Sequence, residues 1–171
     1  MSEYGALLRR RSIRKFRPET VPDEIVQRIL VAGMAAPSAH NFQPWEFIVM
    51  RDREKLKELS RLCKYWRMLA EADFAIAVLA NLEGCPRELE GYFPEDCGAC
   101  TQNMLIAATG EGIGSCWLGC WPTPANVESV RKALKIPPGI IPFSLIAFGY
   151  AGEEKPAHNE YHAQKVHLEK Y

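Results

Sequence analysis

The sequence has no long hydrophobic run: its longest unbroken apolar stretch, Phe74 to Ala80, is far shorter than a membrane span needs. It carries no net charge, with Lys plus Arg and Asp plus Glu at 21 each, so no general field draws the molecule to nucleic acid or an anionic membrane. It has no internal repeat, no low-complexity tract and no Gly/Ser-rich linker, which excludes repeat architectures and leaves a single domain over residues 1–171. No Walker phosphate loop and no GxSxG nucleophile occurs, so the common signatures of nucleotide hydrolysis and acyl transfer are missing. The first residues, Met1-Ser2-Glu3-Tyr4, lead to Arg9-Arg10-Arg11 and not to an apolar segment, and a cytoplasmic protein is expected.

What is present is ordinary in bulk and uneven in detail. An apolar fraction of 47% with 25% charged residues fits a folded globular chain with one core. Six cysteines without a secretory context read as reduced, mostly buried thiols. Cys97-x2-Cys100 and Cys116-x3-Cys120 approach a four-cysteine zinc spacing, and a metal protein is one reading of them. Against it, Asp96 to Ala108 reads as a helix, which sets Cys97 and Cys100 on one helical face and not on the tight turns of a zinc knuckle, so no metal is expected. The basic residues are also unevenly spread: Arg9, Arg10, Arg11, Arg14, Lys15 and Arg17, six of the 21, fall in the first 17 positions, opposed there only by Glu3.

Hydrophobic periodicity outlines alternating helices and strands. Thr20 and Asp23 form a capping-box-like pair, Pro22 suits a first helical position, and Ile25, Val26, Ile29 and Leu30 recur at helical spacing, predicting a helix over 22–33. Trp45 to Met50 reads as a strand, Asp52 to Leu62 as an amphipathic surface helix and Tyr65 to Glu71 as a short helix. Phe74 to Leu79 is apolar on both faces and predicts a central strand. A helix over 95–110 ends at Gly110 and Gly112. Strand Ser115 to Leu118, helix Asn126 to Leu134 and strand Ser144 to Phe148 follow. Residues 150–171 show no period, and their Tyr150, Tyr161, Val166, Leu168 and Tyr171 suit docking on another surface.

Three segments have chemical potential. Arg10-Arg11-Ser12-Ile13-Arg14 sets guanidinium groups beside a hydroxyl, a set suited to clamping phosphate, with a solvated basic face as the alternative. The loop Ala36 to Trp45 packs prolines, a hydroxyl and two carboxamides between a helix and a strand; it suits either reading the edge of a planar heterocycle or plain turn chemistry. His40 within it reads as a loop histidine before a catalytic base. Gly110-Glu111-Gly112-Ile113-Gly114 follows a helix and precedes a strand, the reverse of the dinucleotide fingerprint, though such glycines let backbone approach a flat ligand.

Taken in order, RRSIRKF, PSAHNFQPWEFIV and QNMLIAATGEGIGSCWLG resemble the FMN-dependent nitroreductase family from about residue 5 to 171. The resemblance implies an α+β fold of three layers, a mainly antiparallel central sheet flanked by helices with an extended C-terminal arm (150–171). It also implies a homodimer with two FMN sites at the subunit interface. On this basis Arg10, Arg11, Ser12 and Arg14 would hold the FMN phosphate, ribityl chain and part of the ring. Pro37, Ser38, Ala39 and Asn41 would reach the FMN of the opposite subunit, with Gln43-Pro44-Trp45 placing that loop. Lys64 and Arg67 would stand near the pyrimidine edge of the flavin, and Trp117, Leu118 and Gly119 against the ring, with the N–H near Gly119 a donor to flavin N5. NADH or NADPH would be the reductant and a small oxidised molecule, nitroaromatic or quinone, the acceptor, with no catalytic side chain required. A flavin-binding sensor is the alternative function. Tyr92, Phe93, Phe42 and Trp66 are either stacking partners of the acceptor or core residues, with Asn81 to Glu95 the expected substrate wall. Family members often carry Arg or Lys in the tail to neutralise the phosphate; the alignment puts His158 and Glu160 there, so either Lys165 or the amino-terminal arginines compensate or FMN is held loosely, and loose binding is expected.

Overall fold

The computed structural model describes residues 3–171 and folds them into three layers. Four strands, β1 (Trp45–Met50), β2 (Phe74–Asn81), β3 (Gly114–Gly119) and β4 (Ile140–Gly149), stand in the spatial order β1-β2-β4-β3, each neighbouring pair antiparallel. Helices α2 (Asp23–Met34) and α4 (Phe93–Gly110) cover one face, with α1 (Glu3–Arg9) packed on α4; α3 (Arg53–Ser60) and α5 (Pro124–Leu134) cover the other. The antiparallel α+β expectation is met.

Strand alternation divides the core between the two faces. From β2, Phe74, Ile76, Val78 and Ala80 join the α2/α4 side, where Phe74 stacks on Phe148 at 4.8 Å, while Ala75, Ala77 and Leu79 join Leu56, Leu59 and Val130 on the other. Being covered twice, β2 reads as a continuous apolar run. The same division separates the cysteines: Cys97 and Cys100 lie in the first core and Cys116 and Cys120 in the second, so the four make no common cluster. Among the described residues no His, Cys, Asp and Glu group is arranged to hold a metal ion, and all six thiols are free. Burial pushes the thiols of Cys100 and Cys120 up to about 12.

Several boundaries differ from expectation for local reasons. Helix α1 buries Ala6 alone among its described side chains and leaves no periodic signal. Pro22 is the N-cap of α2 and not its first residue, and Thr20 closes no capping box. The entry is held instead by Asp73, which accepts the Val21 N–H at 3.0 Å and pairs with Arg51 at 2.8 Å. The short helix expected over 65–71 is a 3-10 turn, Arg67–Ala70. Strand β4 starts at Ile140, four residues early, because the register shifts between Val78 and Leu79 where Pro142 faces Leu79, absorbing the proline's missing donor.

The amino-terminal segment lies along β3, one of the two edge strands of the sheet. Ser12 bridges Ser115 in parallel and Phe16 bridges Ala151. Gly114 makes this approach possible, since a Cβ there would stand 3.0 Å from Ile13 Cγ2 and 3.2 Å from the Gly149 carbonyl. That glycine makes room for the Ile13 side chain and the Gly149 carbonyl of the same chain. Gly112, at φ 76°, turns the chain out of α4.

Candidate functional site

Ile13 donates its N–H to the Ser115 carbonyl at 2.9 Å, and the next residue, Arg14, then stands at the mouth of a cleft with Cys116 and Trp117. The cleft holds about 540 Å³ and is lined by Arg14, the turn 63–68, Trp117, Leu118, Gly119 and Asn126. Past Ser115 the outer side of β3 meets no further strand among the described residues, so its peptide groups are available to a ligand. Asn126 Nδ2 donates to the Gly119 carbonyl at 3.3 Å and steadies the end of the strand. Trp117 leans on Phe143 at 5.9 Å between centroids and leaves about a third of its surface exposed, 36%.

Arg14 also lines a smaller recess of about 260 Å³ together with Arg10, Arg11, Ser12, Lys155 and His158. No carboxylate lines either depression. Lys64 and Arg67 extend the positive lining into the larger cleft, with Lys64 Nζ 4.9 Å from the Tyr65 ring centroid. The expected residues Arg10, Arg11, Ser12, Arg14, Lys64, Arg67, Trp117, Leu118 and Gly119 thus border two cation-lined depressions that share Arg14.

The tail divides into two parts. Residues 150–158 strap the amino-terminal segment of the same chain: Arg17 donates to the Tyr150 carbonyl at 2.9 Å, Gly152 to Lys15 at 2.8 Å, His158 to Leu8 at 2.9 Å, and the Arg11 guanidinium to Pro156. Lys155 Nζ donates to the Ser12 carbonyl at 2.6 Å and pairs with Glu153 at 3.2 Å, while Glu153 accepts the Arg14 N–H at 2.5 Å. That backbone hydrogen bond, with Lys155 beside it, holds the Glu153 carboxyl below the usual carboxylate range. Lys155 is therefore the tail cation at the recess. Sequence reading named Lys165 or the amino-terminal arginines instead; the arginines line the recess, whereas Lys165 lies in the exposed stretch beyond 158. His158 sits in the recess as expected; Glu160 does not line it and points its carboxylate toward His162 at 3.7 Å.

The loop Pro37–Asn41 does not line the cleft of its own chain. It is tightly held all the same: Ala39 donates its N–H to Asp96 Oδ1 at 2.8 Å, Gln43 its N–H to Ser38 Oγ at 2.9 Å, and Gln43 Nε2 to Asn41 Oδ1 at 2.9 Å. Of the aromatic candidates, Trp66 borders the cleft while being almost wholly buried in the core; Phe42, Tyr92 and Phe93 do not border it, and Phe93 packs edge-on to Trp121 at 5.1 Å. Residues 81–95 form no wall of this cleft.

A second depression of similar size, about 550 Å³, lies between Phe16–Thr20, Arg53 and Asp73. Its charges are already satisfied, Arg17 by Glu19, Arg53 by the Ala70 and Ala72 carbonyls, and Asp73 by Arg51. With Glu19 and Glu71 also in its wall it carries three carboxylates against two arginines and so no positive surplus, and the β3 cleft is the better candidate for an anionic planar ligand.

A family model, that of the nitroreductase family, matches residues 7–66 and 60–150. A protein of Archaeoglobus fulgidus, provisionally named NADH dehydrogenase/NAD(P)H nitroreductase, is 41% identical over 95% of this chain and 94% of its own. The structure of an FMN-dependent nitroreductase from Clostridium difficile R20291 superposes with a TM-score of 0.89 at 32% identity, covering 98% of this chain and 99% of that one. A provisionally named nitroreductase from Desulfovibrio desulfuricans, solved in complex with FMN, does so with a TM-score of 0.84 at 30% identity over 100% and 98%. By motif order, sequence identity and fold alike, the chain belongs to the nitroreductase family.

Proposed function

We propose that the protein is an FMN-dependent NAD(P)H oxidoreductase that reduces a small oxidised acceptor, a nitroaromatic, a quinone or a similar molecule, in the cytoplasm. The observation that carries this reading is the sharing of Arg14 between a small recess bearing four cations and a hydroxyl and a cleft along an open strand edge. A phosphate at one end and a flat polar-edged ring at the other match that shape and charge. Arg10, Arg11, Arg14 and Lys155 would hold the phosphate through charge-assisted hydrogen bonds, with the Ser12 hydroxyl as a neutral donor. The Trp117–Gly119 backbone would meet the ring, and Gly119, lacking a side chain, leaves its N–H open to approach. Lys64 and Arg67 would place positive charge along the ring's polar edge, lowering the energy of added electron density there.

Bound FMN supplies hydride transfer from NADH or NADPH to the acceptor. The chain's part is to orient the ring, neutralise its phosphate and leave one face open, and no nucleophile or acid–base pair is required of it. Pro37, Ser38, Ala39 and Asn41, held away from their own cleft, would complete the cleft of a second copy in a homodimer. The test is the visible spectrum of the purified protein after FMN addition, followed by anaerobic mixing with NADH or NADPH. Rapid bleaching of the flavin band supports the enzyme. Binding without bleaching points to a flavin-binding sensor, and no binding overturns the proposal.

A further inference from the structure

Asp96 is the one charged residue among the described residues that is buried, at 7% exposure, and no cation stands within ion-pair distance of it. A buried carboxylate without a cationic partner is costly to a fold. Its place in the first turn of α4 relieves part of that cost through the helix dipole, but an uncharged residue would avoid it altogether. What the carboxylate does is accept the Ala39 N–H at 2.8 Å, across 57 positions of sequence.

The segment it grips gathers most of the non-glycine left-handed backbone among the described residues. His40, Asn41 and Gln43 all stand in the left-handed region, with φ of 50°, 57° and 53°, and none is glycine. Of the five non-glycine residues with positive φ among those described, three fall in this one loop. Such strain persists only where surrounding contacts over-determine it. Inside the loop, Ser38 Oγ and Asn41 Oδ1 both accept from Gln43, so those bonds move with it. The side-chain bond that ties the loop to the rest of the molecule is the one from Asp96, at the base of the long helix that also carries the Met104 and Cys100 core contacts of α2.

We propose that Asp96 is a positioning residue: its carboxylate fixes the left-handed turn over 38–43 so that Ser38 and Asn41 are presented in a set geometry to the FMN of the partner subunit. This rests on the cofactor and dimer reading given above. The carboxylate touches neither cofactor nor substrate; it acts through the Ala39 amide.

The test compares Asp96→Asn, which keeps an acceptor oxygen, with Asp96→Ala, which removes it. FMN affinity is read by flavin fluorescence titration at a protein concentration that preserves the dimer, and amide hydrogen exchange is read over 38–43 in the apo-protein. Asp96→Ala is expected to weaken FMN binding at least tenfold and to speed exchange at Ala39, while Asp96→Asn stays within about threefold of the parent on both. Adding His40→Gly to Asp96→Ala removes one left-handed penalty and is expected to recover part of the lost affinity, a coupling that a merely structural Asp96 would not show. If Asp96→Ala does not fold, Asp96→Glu, which keeps the charge but shifts the oxygens by one methylene, takes its place with the same expectation. Near-parent affinity in the alanine variant overturns the inference, as does an equal loss in the alanine and asparagine variants. Failure of the cofactor reading is distinct, because the parent protein itself would then bind no FMN.

Discussion

Arg14 lines both the recess and the cleft, so its removal strikes both ends of the proposed FMN site. Arg14→Ala is expected to weaken FMN binding by about 1.5–3 kcal/mol, roughly 10- to 150-fold in Kd, with the melting temperature little changed. Lys155→Ala should weaken it less, because Glu153 already offsets part of that charge at 3.2 Å. Glu160→Arg, by contrast, should leave the affinity within about twofold, since its carboxylate lies outside the recess and faces His162. Fluorescence titration of the three variants at one ionic strength checks the order. A pH dependence belongs to the same group of residues. Glu153 has its folded-state value lowered by the Arg14 N–H, so its hold on the segment is complete at neutral pH and is lost as the pH falls below the ordinary glutamate value of 4.5 and through the lowered one. FMN release should rise over that acid window, and Glu153→Gln should release FMN with a flatter profile there. Much of this site was legible because Arg10 to Arg14 are contiguous and their chemistry can be read without a fold. Lys155 was not, as its contact with Ser12 spans 143 positions and nothing local in Glu153-Glu154-Lys155 announces it.

The cleft depends on how closely the amino-terminal segment lies against β3, and that closeness depends on one missing side chain. Gly114→Ala would put a methyl 3.0 Å from Ile13 Cγ2, with the rigid Gly149 carbonyl 3.2 Å away on the other side. Overpacking of this kind costs about 1–3 kcal/mol. Because the segment it displaces carries Ser12 and Arg14, the variant should lose FMN affinity along with thermal stability, as calorimetry and titration together would register. Phe148→Ala provides the contrast: it removes the ring stacked on Phe74 deep between β4 and β2, which should cost about 3–5 kcal/mol. The FMN affinity of the fraction that remains folded should hardly change. Elements with local signals, the apolar period of α2, the unbroken apolar run of β2 and the glycines that end α4, could be read from the sequence to within a few residues. The ones that could not are those set by tertiary contact: α1, short and resting on α4; the early start of β4, allowed by its own bulge at Phe143 against β2; and the entry to α2, held by Asp73 from another part of the chain.

At the scale of the whole molecule, the last residues leave large apolar side chains exposed. Residues 150–158 are spent on strapping the amino-terminal segment, whereas beyond them Tyr161 is 76% and Leu168 82% exposed, and Tyr171 is fully exposed. Large apolar side chains in that state are more stable covered, and a second copy is the partner our dimer reading supplies. The two parts of the tail then predict different outcomes on truncation. Ending the chain after Asn159 keeps Glu153, Lys155 and the strap, so each cleft stays intact while the dimer weakens. FMN affinity should fall at low protein concentration and recover as concentration rises. Ending it after Gly149 removes Lys155 and the strap as well, and concentration should then restore little. Sedimentation velocity over a hundredfold range of concentration, with flavin absorbance followed in the same cell, separates the two. A parent protein that sediments as a monomer while carrying FMN would overturn the shared-site reading, and the loop 37–41 would then need another occupant.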